Sequence, residues 1–382
     1  MSDPGPPARC PASSGPPTWH VTRHADVVAV AQDARSFSSA VSRHLQIPNG
    51  LDGAEHARFR PLVESFFTEH RMDALEPDLR AIAAEVVRSL PRDHPVETVA
   101  DLGRPFAVRA TCRWLGWPDS LETTLLDWMR DNHAATRSAD HTRTSEVAAR
   151  FNAIITELTR VRRDAGEAAA DDVTTELTHA TVGGRPLEDA EIVSILRNWT
   201  AGDIASVALC VGVVVRYLAD HPDVQEQVRR SRHERGALER AIDEMLRIDD
   251  PFVANRRVVA EPTEIGGVAL DRGDRLQLRW TAANRDPARF GDPDAYRPEE
   301  NAPHNLVYGT GPHVCPGRSL ATLELRVVLE ELLDATARID SVGQVVREDP
   351  PLGGYASAPV VLRTDVSTTG AGSGISAGAP SR

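Results

Sequence analysis

Tyr308-Gly-Thr-Gly-Pro-His-Val-Cys-Pro-Gly317 is the stretch on which the reading of this chain turns. Gly309, Gly311, Pro312 and Pro316 make a tight loop, and a helical pattern begins directly behind it. One cysteine, Cys315, stands where that helix starts. A helix N-terminus carries partial positive charge and unpaired N–H groups, and both favour a thiolate. A lone thiolate presented in this way suits a metal ligand or a nucleophile, and the rest of the chain must decide between them.

The chain has 382 residues, 41% of them hydrophobic and 26% charged, which describes an ordinary globular protein. Its net charge of −13 argues against nucleic acid, which rewards dense basic patches. The four cysteines are scattered without a CxxC pair, so neither a disulfide framework nor a zinc site is expected. Residues 1–18 lack the apolar core of a signal peptide and read as a disordered arm. Residues 366–382 are rich in Gly, Ala and Ser and read as a disordered tail. Between them, residues 19–365 form one expected domain. The apolar run Ile204 to Val215 is too short to span a bilayer. The expectation is a soluble cytoplasmic protein that binds no membrane and no nucleic acid.

Apolar residues recur at three-to-four spacing over Arg58–Arg71, Ala74–Ser89, Asp101–Leu115, Leu121–Asn132, Ser145–Arg163, Leu187–Asp220, Leu238–Ile248 and Ser319–Ala337, which predicts helices. The Leu187–Asp220 helix is apolar nearly all round in its second half, which places it mid-fold. The polar stretch 131–144 reads as a mobile segment. Asn255–Leu278, with turns at Gly266-Gly267 and Asp271–Gly273, reads as a small antiparallel sheet. Residues 353–362 suggest a final hairpin. The sum is a mostly α fold with a minor β region.

The loop resembles the haem-ligand loop of cytochromes P450, matching at Gly311, His313, Cys315 and Gly317, with Tyr308 in place of the usual phenylalanine. Other matches follow in order. His56-Ala-Arg-Phe-Arg60 resembles the helix whose cations bind haem propionates. Glu244-Met-Leu-Arg247 resembles the structural E-x-x-R pair, with Arg297 as the nearest candidate for a third partner. Arg257 resembles a further propionate arginine, and Ala201-Gly202 the glycine step of the helix over the iron.

The resemblance implies a triangular P450 prism, haem b, and Cys315 as axial ligand, with His56, Arg60, Ala201, Gly202, Arg257, Tyr308, Gly309, His313 and Gly317 around the cofactor. It implies a monooxygenase acting on a specialised metabolite, with electrons from a ferredoxin or flavodoxin. Arg318 and Arg326 are candidate contacts for such an acidic partner.

The chain departs from the family on the substrate side. In register with Ala201-Gly202, Ile204 takes the place of the usual acid and Ala205 that of the usual threonine. Asp203 and Ser206 lie one residue to either side and share a helix face at i and i+3, a candidate shifted proton relay. The short connection 38–55, with Pro48-Asn-Gly50, predicts an open pocket suited to a bulky or peptide substrate. Pocket candidates are Asn198, Trp199, Phe252 and Tyr355. The alternatives are oxidative cross-linking of aromatic residues in a peptide and a non-catalytic haem sensor. A cysteine-nucleophile hydrolase would need an ordered histidine and carboxylate at Cys315, and the sequence offers only His313.

Overall fold

A computed structural model describes residues 5–9, 18–42, 44–138, 140–350 and 352–364. Residues 1–4, 10–17 and 366–382, most of the expected arm and tail, lie outside the described residues. Ala8–Arg9, within the expected arm, pairs antiparallel with Trp19 and His20.

The helix Asp189–Asp220 runs through the middle of the molecule. Its start is fixed by a reciprocal capping box, in which the Glu188 and Glu191 side chains each accept from the other's end of the first turn. From Ile204 to Ala219 almost every residue is buried, as expected for a helix apolar on all sides. Two glycines set how closely the neighbouring segment packs. A Cβ on Gly103 would lie 2.6 Å from the Ala208 carbonyl oxygen, and one on Gly212 would lie 2.4 Å from Val99. By length and composition this helix is long and apolar enough to cross a membrane, but 72% of its most apolar window is buried within the protein.

Around it pack the helices Gly53–Glu64, Glu69–Ser89, Arg104–Leu115, Glu122–Ser138, His141–Ala165, Arg235–Ile248 and Arg318–Asp334. The stretch expected to be mobile is largely helical, in Glu122–Ser138 and His141–Ala165. Asp140 caps the second helix, accepting from the backbone N–H groups of Thr142 and Arg143. Trp128 stacks on Phe151 across the pair at 3.8 Å. Polarity there marks an exposed helix face rather than a loop.

A smaller core of Val21, Val27, Phe37, Val259, Leu276 and Leu278 underlies a five-stranded sheet. Asn255–Val259 and Arg275–Leu278 pair antiparallel, but Thr18–Val21 joins the edge of Arg275–Leu278 in parallel. The expected final hairpin does not form. Tyr355–Ser357 pairs with Val346–Arg347, whereas Pro359–Arg363 joins Arg338–Ser341 and Pro95–Glu97.

Glu244 and Arg247 are sealed in this scaffold, with side chains 1% and 0% exposed. They form a two-pronged ion pair at 2.8 and 2.9 Å. Glu244 also accepts from Asn301 Nδ2 at 2.7 Å and from the Arg297 backbone N–H at 2.9 Å. The third side-chain partner is therefore Asn301. The Arg297 guanidinium turns outward to Glu300. Arg247 in turn donates to the carbonyls of Asn284 and Pro293, tying this helix to the segment that leads into the cysteine loop.

Candidate active site

The cysteine loop is held from several sides. Gly309 and Gly311 adopt φ of 72° and 77°, which favours glycine. A Cβ at Gly311 would come within 2.4 Å of the Ala31 carbonyl oxygen. The Cys315 N–H donates to the Tyr308 carbonyl at 2.9 Å. Arg60 Nη1 donates to the carbonyls of Val314 at 2.7 Å and Pro312 at 3.3 Å. In this structure Arg60 thus clamps the loop itself. Ser319 Oγ donates to the Phe67 carbonyl at 2.6 Å, pinning the following helix.

Cys315 keeps an exposed surface although protein surrounds it. Burial pushes its thiol pKa up, while the Gly317 N–H and the Arg60 cation pull it down less strongly. Without a metal the thiol keeps its proton, contrary to the expectation from the helix N-terminus. That disfavours a free nucleophile and suits a ligand whose proton leaves on coordination.

Gly202 is exposed in the middle of the central helix, and a Cβ there would meet nothing within 4 Å. Ile204 and Ala205 are buried, so the wall at the usual acid and threonine positions is apolar. Asp203 turns to the neighbouring helices, where Thr111 Oγ1 donates to its Oδ2 at 2.6 Å and the buried Glu324, whose oxygens have no hydrogen-bond partner among the described residues, lies within electrostatic reach. Among the described residues no hydrogen bond joins Asp203 to Ser206.

His56 and His313 lie with ring centroids 4.4 Å apart. The Nε2 atoms of both are buried without a hydrogen-bond partner among the described residues. Asp52 approaches His313 only at 3.5 Å. Arg257 is buried, and its Nη1 donates to the Arg256 carbonyl. Burial lowers the pKa of His56, His313 and Arg257 alike. Unsatisfied buried donors are costly, and an anion placed beside the two histidines and Arg257 would relieve them.

An iron porphyrin fits this donor set. It needs one thiolate, a flat space opposite with no side chain in the way, and cations for two carboxylates. Cys315, Gly202 and the His56, His313 and Arg257 group match those needs. Bound there, haem supplies the dioxygen-activating chemistry.

The comparisons with known proteins agree. The cytochrome P450 family model matches residues 124–336. Cyclomarin C epoxidase CymV of Salinispora arenicola is 28% identical over 90% of each chain. The 6-deoxyerythronolide B hydroxylase of Saccharopolyspora erythraea is 31% identical over 81% of this chain and 76% of its own.

The chain belongs to the cytochrome P450 family.

Among solved structures, ligand-free cytochrome P450 TbtJ1 superposes with a TM-score of 0.83 at 26% identity, covering 93% of each chain. The P450 fold and the oxidoreductase class expected from the sequence therefore hold.

Several local expectations for this P450 do not. The connection 38–55 is not open. Ile47 is buried; its N–H donates to Ser194 Oγ at 2.9 Å and its carbonyl accepts from Asn198 Nδ2 at 3.0 Å. Ser194 Oγ also donates to the Leu45 carbonyl at 2.9 Å. The connection is a strap fastened to the central helix one turn before Ala201.

Trp199 does not line the pocket either. It packs with Phe66, Phe67 and Trp114 at centroid distances of 5.2, 5.5 and 5.1 Å. Tyr355 is buried, with Arg347 over its ring. Phe252 bridges to Leu352 and the Gly353 N–H donates to the Pro251 carbonyl, so those two segments meet.

Arg318 is exposed, pairs with Asp243 at 3.2 Å and lies over the Tyr308 ring. Arg326 is buried against Glu76 and Glu330, so it is not a surface contact. A half-open cavity of about 530 Å³ lies at Asp249, Arg279, Arg347 and Gly353. Arg347 there is already paired with Asp249, and Cys315 and Gly202 are not among its lining residues.

Sequence reasoning missed Thr111, Ser194 and Glu324. For Glu324 a signal was present: one carboxylate inside the apolar stripe of the helix that follows Cys315.

Proposed function

We propose that this P450 is a monooxygenase of specialised metabolism. It inserts one oxygen atom of dioxygen into a C–H or C=C bond and reduces the other to water. Two electrons come from a ferredoxin or flavodoxin in the cytoplasm, and two protons from solvent. Haem b is the cofactor, with Cys315 as axial ligand. His56, Arg257 and His313 hold its propionates, and Arg60 supports them from the loop. Tyr308, Gly309 and Gly317 shape the thiolate side, and Ala201 and Gly202 the opposite face.

The observation that carries this reading is the pair of buried, unsatisfied ring nitrogens of His56 and His313, the latter two residues before the exposed Cys315 thiol on the same loop. The relatives named as an epoxidase and a hydroxylase support the reaction class. Oxidative cross-linking of aromatic residues in a peptide is the second reading. Ala205 favours it, because coupling by one-electron steps places less demand on a threonine relay. Both readings are tested by reconstituting the haem-loaded protein with a ferredoxin and its reductase, labelled dioxygen, and panels of macrocyclic metabolites and aromatic peptides. Label in the product supports oxygen insertion. An unlabelled product two hydrogens lighter overturns it in favour of coupling, and no turnover with either panel favours a sensor.

A further inference from the structure

Between Ser194 and Ala219 the central helix is buried except at Arg197, Asn198, Ala201, Gly202, Asp203 and Ser206. Arg197 and Ala201 are four residues apart, as are Asn198 and Gly202, so these open positions run together along one side of the helix. The helix lies in the middle of the molecule, so an accessible side there borders an internal opening. Arg197 brings a cation to it.

The Arg197 guanidinium is held from two directions. Its Nη1 donates to Asn152 Oδ1, on the helix His141–Ala165, at 3.2 Å, and its Nη2 donates to the Leu45 carbonyl on the strap. Both acceptors are uncharged, and a guanidinium has further N–H groups to give. Arg216, further along the same helix, pairs with Asp220. Arg197 has no carboxylate at ion-pair distance among the described residues. Burial lowers its pKa, and no neighbouring carboxylate offsets that. A half-buried cation without a counter-ion is costly, and one already fixed in place is prepared for an anion that arrives from outside.

The surroundings narrow the kind of anion. One guanidinium balances one charge, which suits a carboxylate better than a phosphate monoester carrying close to two. The open positions one turn on, Ala201 and Gly202, have no polar side-chain atom. Leu45, whose carbonyl meets the guanidinium, leaves its side chain 43% exposed. The rest of such a ligand is therefore apolar.

We propose that Arg197 selects the substrate by binding a carboxylate on it, with Asn152 as a positioning residue and the apolar body lying along Ala201 and Gly202. The substrate is then an amphipathic acid. This rests on the haem reading above, which puts Ala201 and Gly202 on the open face of the cofactor. The step from Arg197 to Ala201 covers about 6 Å of helix axis, so the carboxylate is held away from the carbon that reacts. Arg197 makes and breaks no covalent bond; it fixes which carbon is presented.

The test uses the haem-loaded protein and a series of ω-(imidazol-1-yl)alkanoic acids of increasing chain length, each beside its methyl ester. The imidazole end reports binding through the haem spectrum, and the chain length searches for the spacing to Arg197. At the best-fitting length the acid should bind the parent about tenfold or more tighter than its ester, the worth of a charge-assisted hydrogen bond. In Arg197→Gln that preference should vanish, while unsubstituted imidazole binds parent and variant alike. If Arg197→Gln does not load haem, Arg197→Lys takes its place. It keeps the charge but loses the planar fork, and the preference should shrink without disappearing. Equal binding of acid and ester at every length in the parent, or an undiminished preference in the Arg197 variant, overturns the proposal. If unsubstituted imidazole leaves the parent spectrum unshifted, the haem reading fails instead.

Discussion

His56 and His313 face each other at 4.4 Å between ring centroids, 257 residues apart in sequence, and each leaves a buried Nε2 unsatisfied among the described residues. With Arg257 they form the proposed cradle for carboxylates. Each charge-assisted hydrogen bond to a carboxylate is worth about 1.5–3 kcal/mol. His56→Ala or Arg257→Ala should therefore speed haem loss to an apo-globin acceptor by about tenfold or more. Unchanged loss rates would show that propionates do not lie there.

The sealed Glu244–Arg247 pair makes a different prediction. Glu244→Ala leaves a guanidinium buried without its carboxylate, at a cost of about 3–5 kcal/mol. Denaturant melts should show that loss, with a lower yield of folded protein. Arg58→Ala, which removes a solvent-exposed pair with Glu55, should stay within about 0.5 kcal/mol of the parent.

Asp243 lies beneath Tyr308 and Arg318, and burial raises its pKa from 3.8 to about 6 despite the nearby Arg318 cation. Between those values the folded state holds a proton that the unfolded state has released. Stability from this site is greatest at low pH and falls as pH rises through about 6. Asp243→Asn, which cannot ionise, should gain in melting temperature relative to the parent over that window and keep a constant difference above it. A gain confined to acid pH would reverse the assignment.

The strap over the central helix depends on Ser194 and Asn198. Removing both partners of the Ile47 backbone exposes unsatisfied buried groups at about 1–3 kcal/mol each. In Ser194→Ala/Asn198→Ala, amide hydrogen exchange at Ile47 should quicken by tenfold or more, while exchange at Val213 stays as in the parent. No change at Ile47 would mean that the strap is held by packing alone.

The geometry of the cysteine side was legible in the sequence because each piece is local. A glycine pattern sets the cysteine loop, and i,i+3 and i,i+4 spacings set Glu244/Arg247 and His56/Arg60 on single faces. The opposite side was not, because its contacts join distant segments. The i,i+3 spacing placed Asp203 beside Ser206, yet nothing local reveals Thr111, 92 residues away. Polarity over 131–144 suggested a loop because an exposed helix face has the same composition. Arg297 was chosen for its charge, whereas the site uses its N–H and the neighbouring amide of Asn301. The final strands were misjudged because Pro359–Arg363 pairs with Arg338–Ser341 rather than with its neighbour in sequence.

Everything proposed for the site depends on Cys315 binding iron through sulfur. Reduction of the purified protein under carbon monoxide tests this directly. A Soret band at the long-wavelength thiolate position, abolished in Cys315→Ala, is the predicted result. A histidine-type Soret band, or a thiolate band that survives in Cys315→Ala, would contradict it.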